Sequence, residues 1–98
     1  MRAAKIDANH EAVVLALRSA GATVQSLAGV GKGVPDLLVG YQGQTLLMEI
    51  KDGFKPPSAR FLTKDQLRWH GSWKGGALAV VDSPDAALRM IGVLSEKP

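Results

Sequence analysis

Cysteine is absent from the 98-residue chain, which removes disulfides, thiolate nucleophiles and every cysteine-based zinc or iron-sulfur site. Histidine is scarce: His10 and His70 are the only two, far from the H-x-x-x-H spacing of a helical zinc site. A metal bound here would therefore rest mainly on oxygen. Long apolar runs are missing too. No stretch approaches the roughly 20 apolar residues of a spanning helix, and the start, MRAAKIDANHE, lacks the apolar segment of a signal peptide. These absences lead to the expectation of a soluble, cytoplasmic protein with no membrane partner. The composition, 46% hydrophobic and 21% charged, is that of an ordinary globule, and the length fits one domain over residues 1–98. The net charge of +3 is unevenly spread. Six of the twelve Lys and Arg fall between Lys51 and Lys74, beside only Asp52 and Asp65, so this segment carries +4 and the remainder −1. An anionic partner accounts for that asymmetry, and so does a solvated polar face.

Along the chain, Asp7 and Asn9 are good helix caps, and Val13, Ala16, Leu17 and Ala20 recur at helical spacing until Gly21. Residues 22–27 alternate as a short strand. The glycine-rich loop AGVGKGVP precedes no helical pattern, so neither common phosphate-loop motif applies. Two apolar runs, DLLVG and TLLMEIK, flank a turn at Gly43 and predict a β-hairpin. Residues 52–62 contain two prolines and read as a surface loop. Thr63 with Gln66 forms a capping box opening a helix to about Trp73. ALAVV reads as a buried strand, and Ser83-Pro84 starts a last helix, PDAALRMIGVL. The predicted order is α-β-β-β-α-β-α, an α/β fold with a sheet of about four strands covered by helices on both sides. Trp69 and Trp73 share a helix face and are expected to pack in the core, with stacking on exposed bases as the other reading. His10 is expected at the surface.

An even hairpin loop centred on Gln42 and Gly43 pairs residues whose numbers sum to 85. Asp36 then faces Glu49, with side chains roughly 5 Å apart at Cβ, and Lys51 points the same way. Opposed carboxylates repel, so something must compensate. Lys51 would do so as a structural ion pair. A hard divalent cation is the alternative: Mg²⁺ is held by one or two carboxylates, with water and substrate phosphate completing its shell.

Pro35-Asp36 followed by Glu49-Ile50-Lys51 resembles the P-D...E-x-K core of the PD-(D/E)xK nuclease superfamily. The wider pattern, GVGKGVPDLLVG, the hairpin, MEIKDG, PPSARFLT and Gln66, is similar to small stand-alone VRR-NUC domains of phages and bacteria, from about Asp7 to Met90. The resemblance implies a restriction-endonuclease-like core, phosphodiester hydrolysis with Mg²⁺ (Mn²⁺ substituting), DNA as partner, kinship with Holliday-junction resolvases, and paired protomers. By position it makes Asp36 and Glu49 metal ligands, adds the Ile50 carbonyl as a third, and makes Lys51 the catalytic lysine. Glu11 matches an acidic ligand on the first helix, with simple helix capping as the other reading. Gln66 matches a position that assists the lysine or the phosphate, although capping also explains it. Lys32, Lys55, Ser58, Arg60, Lys64 and Arg68 form the expected nucleic-acid rim, against a solvated-face reading. Phe54, Phe61 and Trp73 are the expected apolar contacts of a homodimer. The expected activity is a metal-dependent DNA endonuclease acting on structured or branched DNA. The alternatives are a non-cleaving nucleic-acid-binding module with this fold and an α/β interaction domain with no nucleic-acid role.

Overall fold

The structure, a computed structural model, describes residues 8–95; the expected cap at Asp7 lies outside them. Three helices, four strands and a short 3₁₀ turn follow one another as α1 (Ala8–Ser19), β1 (Thr23–Ser26), β2 (Leu37–Tyr41), β3 (Gln44–Ile50), the 3₁₀ turn (Pro57–Arg60), α2 (Lys64–Ser72), β4 (Leu78–Val81) and α3 (Pro84–Met90). The strands form one mixed sheet in the order β1-β2-β3-β4. The first three are antiparallel and β4 runs parallel to β3 after the crossover through α2.

The hairpin has the register expected from its turn: Tyr41 pairs Gln44, Leu38 pairs Leu47 and Leu37 pairs Met48. Both turn residues, Gln42 (φ 47°) and Gly43 (φ 80°), are left-handed, as a two-residue turn matched to strand twist requires. Because side chains alternate, Leu37, Val39, Leu46, Met48 and Ile50 fall on one face and are buried against Val13 and Leu17 of α1 and Ala87 and Ile91 at α3. Each such side chain contributes about 1.5–3 kcal/mol by leaving water.

Helices flank the sheet unequally. On the opposite face α2 meets the sheet only near the end of β3, and Leu38 (38%) and Val80 (45%) stay exposed. The expected full cover on both sides is thus partial, because α2 has only nine residues and buries none. The two tryptophans are accordingly a surface stack rather than core: Trp69 and Trp73 lie 5.1 Å apart at 16°, and Trp73 is 40% exposed. The 52–62 loop contains the 3₁₀ turn, and α3 ends at Met90 with Ile91 as its cap, short of the expected Leu94, because Gly92 turns left-handed (φ 87°). Among the described residues no helix is long and apolar enough to cross a membrane.

Two contacts fix the far end of the sheet. Asn9 lies within α1 instead of capping it, and its Nδ2 donates to the carbonyls of Lys51 (2.7 Å) and Asp82 (3.0 Å), tying the ends of the parallel strands to the helix. Gly33, left-handed at φ 86°, lets the glycine-rich loop approach the first turn of α2 so closely that a Cβ would collide with the Asp65 carbonyl. Both serve to position the residues described next.

Candidate active site

A cavity of about 210 Å³ opens where β2 starts and β3 ends, lined by Asp36, Glu49, Ile50, Lys51 and Gln66 together with His10 and Lys55. The hairpin register carries Asp36 and Glu49 to one face, one step beyond the Leu37–Met48 pair. Asp36 Oδ2 accepts the Ile50 amide at 2.7 Å, which orients its carboxylate across the strand end. Glu49 is 3% exposed. Its Oε2 accepts from Gln66 Nε2 (3.0 Å) and lies 3.9 Å from Lys51 Nζ. Its Oε1 is buried with no hydrogen-bond partner among the described residues.

That arrangement sets the electrostatics. Burial pushes the Glu49 carboxyl up from 4.5 to about 8, the nearby Asp36 carboxylate adds to the rise, and Lys51 opposes it. Between those two values the folded protein retains a proton that the unfolded chain has released. The contribution of this group to the stability of the metal-free protein is therefore fully present below pH 4.5 and is lost as the pH rises toward about 8. Thermal melts in chelator across that window should show a falling midpoint for the parent and a flatter profile for Glu49→Gln. A parental midpoint that rises through the window would contradict the assignment.

Gln66 makes the capping contacts and also reaches the lysine. Its Oε1 accepts from the Thr63 amide (2.9 Å) while Thr63 Oγ1 accepts from the Gln66 amide (3.2 Å), completing the capping box. The same Oε1 accepts from Lys51 Nζ at 2.9 Å. The start of α2 is thereby hydrogen-bonded to the lysine and the glutamate at once. Beyond it, His70 has a buried Nε2 without a partner among the described residues, and burial, then the Lys51 charge, pushes its pKa down.

His10, expected at the surface, is buried (8% exposed) and lines the cavity, because α1 turns this residue toward the sheet. The helix rotates roughly 100° per residue, so neighbouring Glu11 points outward. Glu11 is exposed and lines a separate cavity with Val14 and Arg18; the structure does not bring it to Asp36 and Glu49. Of the expected nucleic-acid rim, Lys55 lines the site cavity, and Lys32 and Arg68 line a neighbouring one with Trp69. Ser58 and Lys64 are exposed on the 3₁₀ turn and the first turn of α2. Arg68 is paired to Asp65 at 3.7 Å on the surface, and Arg60 to Asp82 at 3.6 Å. The first is a local i,i+3 pair on α2, whereas the second joins the 3₁₀ turn to the end of β4, beyond the reach of local pattern.

Among the described residues no cluster of three or more His, Asp or Glu side chains forms a metal cage. The donors that converge are two carboxylates beside the Ile50 backbone. This set fits a hard divalent cation that keeps several waters, as Mg²⁺ does, and the unpartnered Glu49 Oε1 supplies an unused lone-pair donor for it.

A mixed four-stranded sheet flanked by helices, with paired carboxylates and a lysine at the end of its central hairpin, defines a restriction-endonuclease-like α/β domain. A solved structure of a VRR_NUC domain is similar to this chain, with a TM-score of 0.60 and 28% identity over 83% of this chain and 87% of that one. No family model and no curated protein matches the chain. The structural likeness bears out the VRR-NUC resemblance, and the chain has the fold of a nuclease domain.

Proposed function

We propose that the protein is a divalent-metal-dependent endodeoxyribonuclease that hydrolyses phosphodiester bonds in structured or branched DNA, in the manner of a Holliday-junction resolvase, inside a bacterial or phage-infected cell. The observation that carries this reading is the buried Glu49 carboxyl with one oxygen unpartnered, set beside Asp36 and a lysine fixed by Gln66. Asp36, Glu49 and the Ile50 carbonyl would hold the cation, Mg²⁺ or Mn²⁺. Such an ion, when bound, neutralises phosphate charge and lowers the pKa of water. Lys51 Nζ, only 14% exposed at the side chain, is held by Gln66 and therefore keeps its remaining protons for an oxygen that gains charge as the phosphate is attacked. Glu49 loses its proton when the cation binds, so metal affinity rises with pH below about 8.

A non-cleaving binding module is the other reading of this fold. It has no use for opposed acids that repel phosphate. Incubation with single-stranded, duplex, flap and four-way-junction DNA separates the two. Cutting is expected with Mg²⁺ or Mn²⁺, and binding without cutting in Ca²⁺, whose larger and looser shell positions water poorly. Cutting undiminished by excess chelator would overturn the metal-dependent reading, and binding without cutting under every metal would favour the module. A two-fold homodimer completes the proposal, because one protomer offers one reacting centre while a junction presents two strands to cut. Phe54, fully exposed, and Leu38 on the open sheet face are available to such a contact. Light scattering should give twice the 10.4 kDa chain mass, and a monomer with and without DNA would count against pairing.

A further inference from the structure

Lys51 is a wall of two cavities. On the side away from the carboxylates, an opening of about 340 Å³ is lined by Lys51, Pro57, Arg60, Phe61, Val80 and Asp82. Its position follows from the sheet: Val80 pairs with Glu49 in the parallel register, so both side chains project from the same face, one into each cavity. The character of this second opening differs from the first. Pro57, Phe61 (70% exposed) and Val80 (45% exposed) give it apolar walls that water now covers at a cost. Arg60 is not a free cation, since Asp82 Oδ2 sits 3.6 Å from its Nη1. Its Nε is buried and lacks a partner among the described residues. The rim thus carries guanidinium donors and a carboxylate acceptor with little net charge between them.

A second phosphate fits such a place poorly: it has no apolar surface for Phe61 and Val80, and Asp82 repels it. A nucleobase fits well. Its faces are apolar and stack on an aromatic ring, and its edge carries both donors and acceptors for the Arg60–Asp82 pair. Continuity with the reacting centre names the base concerned, because a strand whose phosphate meets Lys51 carries its adjoining base toward the other side of the same lysine. A base inside a duplex is already stacked and paired and cannot enter without being extruded, whereas an unpaired base enters freely.

We infer that this second cavity receives an unpaired nucleobase adjoining the phosphate engaged at Lys51, with Phe61 stacked on the base and Arg60 and Asp82 facing its edge. The inference rests on the nuclease reading and deepens it: selection for unpaired nucleotides beside the cut is built into the protomer and requires no partner copy. Phe61 is then a specificity residue rather than a dimer contact.

The test uses the full chain in Ca²⁺ with oligonucleotides carrying 2-aminopurine at successive positions, either unpaired in a gap or bulge or fully paired in duplex. Binding should quench the probe at one unpaired position. Phe61→Ala should abolish that quenching and weaken binding of the unpaired substrate about tenfold while leaving duplex affinity unchanged. Phe61→Leu, which keeps apolar bulk but no ring, should fall between, and Leu15→Ala, an exposed apolar change on α1 outside both cavities, should behave as the parent. Metal-supported cleavage of the same DNAs is measured in parallel. Cleavage by the parent with no quenching at any position, or an equal loss on paired and unpaired DNA in Phe61→Ala, overturns this inference alone. A Phe61→Ala effect that tracks a change of oligomeric state also overturns it. Failure of the parent to bind or cut any DNA overturns the nuclease reading and this one together.

Discussion

Replacing Glu49 by Gln is expected to abolish phosphodiester cleavage while leaving the protein at least as stable as the parent at neutral pH. The reason lies in the state of this carboxyl. Burial and the facing Asp36 raise it to about 8, so in the metal-free fold it is mostly protonated at neutrality and already resembles an amide in charge. Gln occupies nearly the same volume, keeps an acceptor toward Gln66 Nε2 and removes the cost of ionising a buried acid. What it cannot do is lose a proton and bind a cation. Asp36→Asn has the same logic from the other strand, since an amide oxygen can still accept the Ile50 amide that Asp36 now holds at 2.7 Å. Each change should lower cleavage by ~10³-fold or more, the equivalent of several kcal/mol of lost charge stabilisation. DNA affinity should hold in Glu49→Gln, whose parent carboxyl is already mostly neutral without metal, and hold or rise in Asp36→Asn, which removes a carboxylate facing the phosphate. Lys51→Met should cost about 10²–10³-fold, in line with the loss of a single preorganised donor. Cleavage rates with labelled junction DNA, fluorescence anisotropy in Ca²⁺ and thermal melts measure the three quantities separately. Parental cleavage by purified Glu49→Gln or Asp36→Asn would sink the assignment of the site.

The part of this site that was legible in the sequence is the part governed by local rules. Strand alternation and a two-residue turn at Gln42-Gly43 determine which hairpin residues oppose one another, so the meeting of Asp36 and Glu49 follows from counting. The capping box at Thr63 and Gln66 is likewise a four-residue pattern. The illegible part depends on how distant elements pack. Asn9 looked like a cap, yet its side chain is taken by carbonyls 42 and 73 residues away, which no local pattern encodes. His10 and Glu11 are adjacent in sequence, and only the rotation of α1 against the sheet decides that the histidine faces the cavity while the glutamate faces out. Arg60 counted as a phosphate contact by charge alone. Its pairing with Asp82 is a contact between the 3₁₀ turn and the end of β4. Trp69 and Trp73 have core-like spacing but lie on a helix too short and polar to be covered, so they stack on each other instead.

Lengthening the hairpin turn tests the register without touching any site residue. One residue inserted after Gly43 makes the loop odd, and β3 must then slip by one or take the extra residue as a bulge. A slip would send Glu49 and Lys51 to the face packed by α1 and α3, where Met48 and Ile50 now lie, and would put those two side chains on the open face in exchange. Burying an acid and an amine among Val13, Leu17 and Ala87 costs far more than the turn contributes, so the variant should lose activity or folding. The slip is opposed at the other edge of β3 as well, since Leu47 through Ile50 are held in register with β4 and a slip must break that ladder, so only a bulge confined to the turn would rescue this variant. Two residues inserted at the same point preserve the pairing of Leu38 with Leu47 and the opposition of Asp36 to Glu49. The longer loop should cost only about 1 kcal/mol of closure entropy, so this variant should stay folded and retain metal-dependent cleavage. Circular dichroism and cleavage assays on both proteins give the comparison. If the two-residue variant is folded but inactive while the one-residue variant cuts, the carboxylates are brought together by something other than the hairpin register.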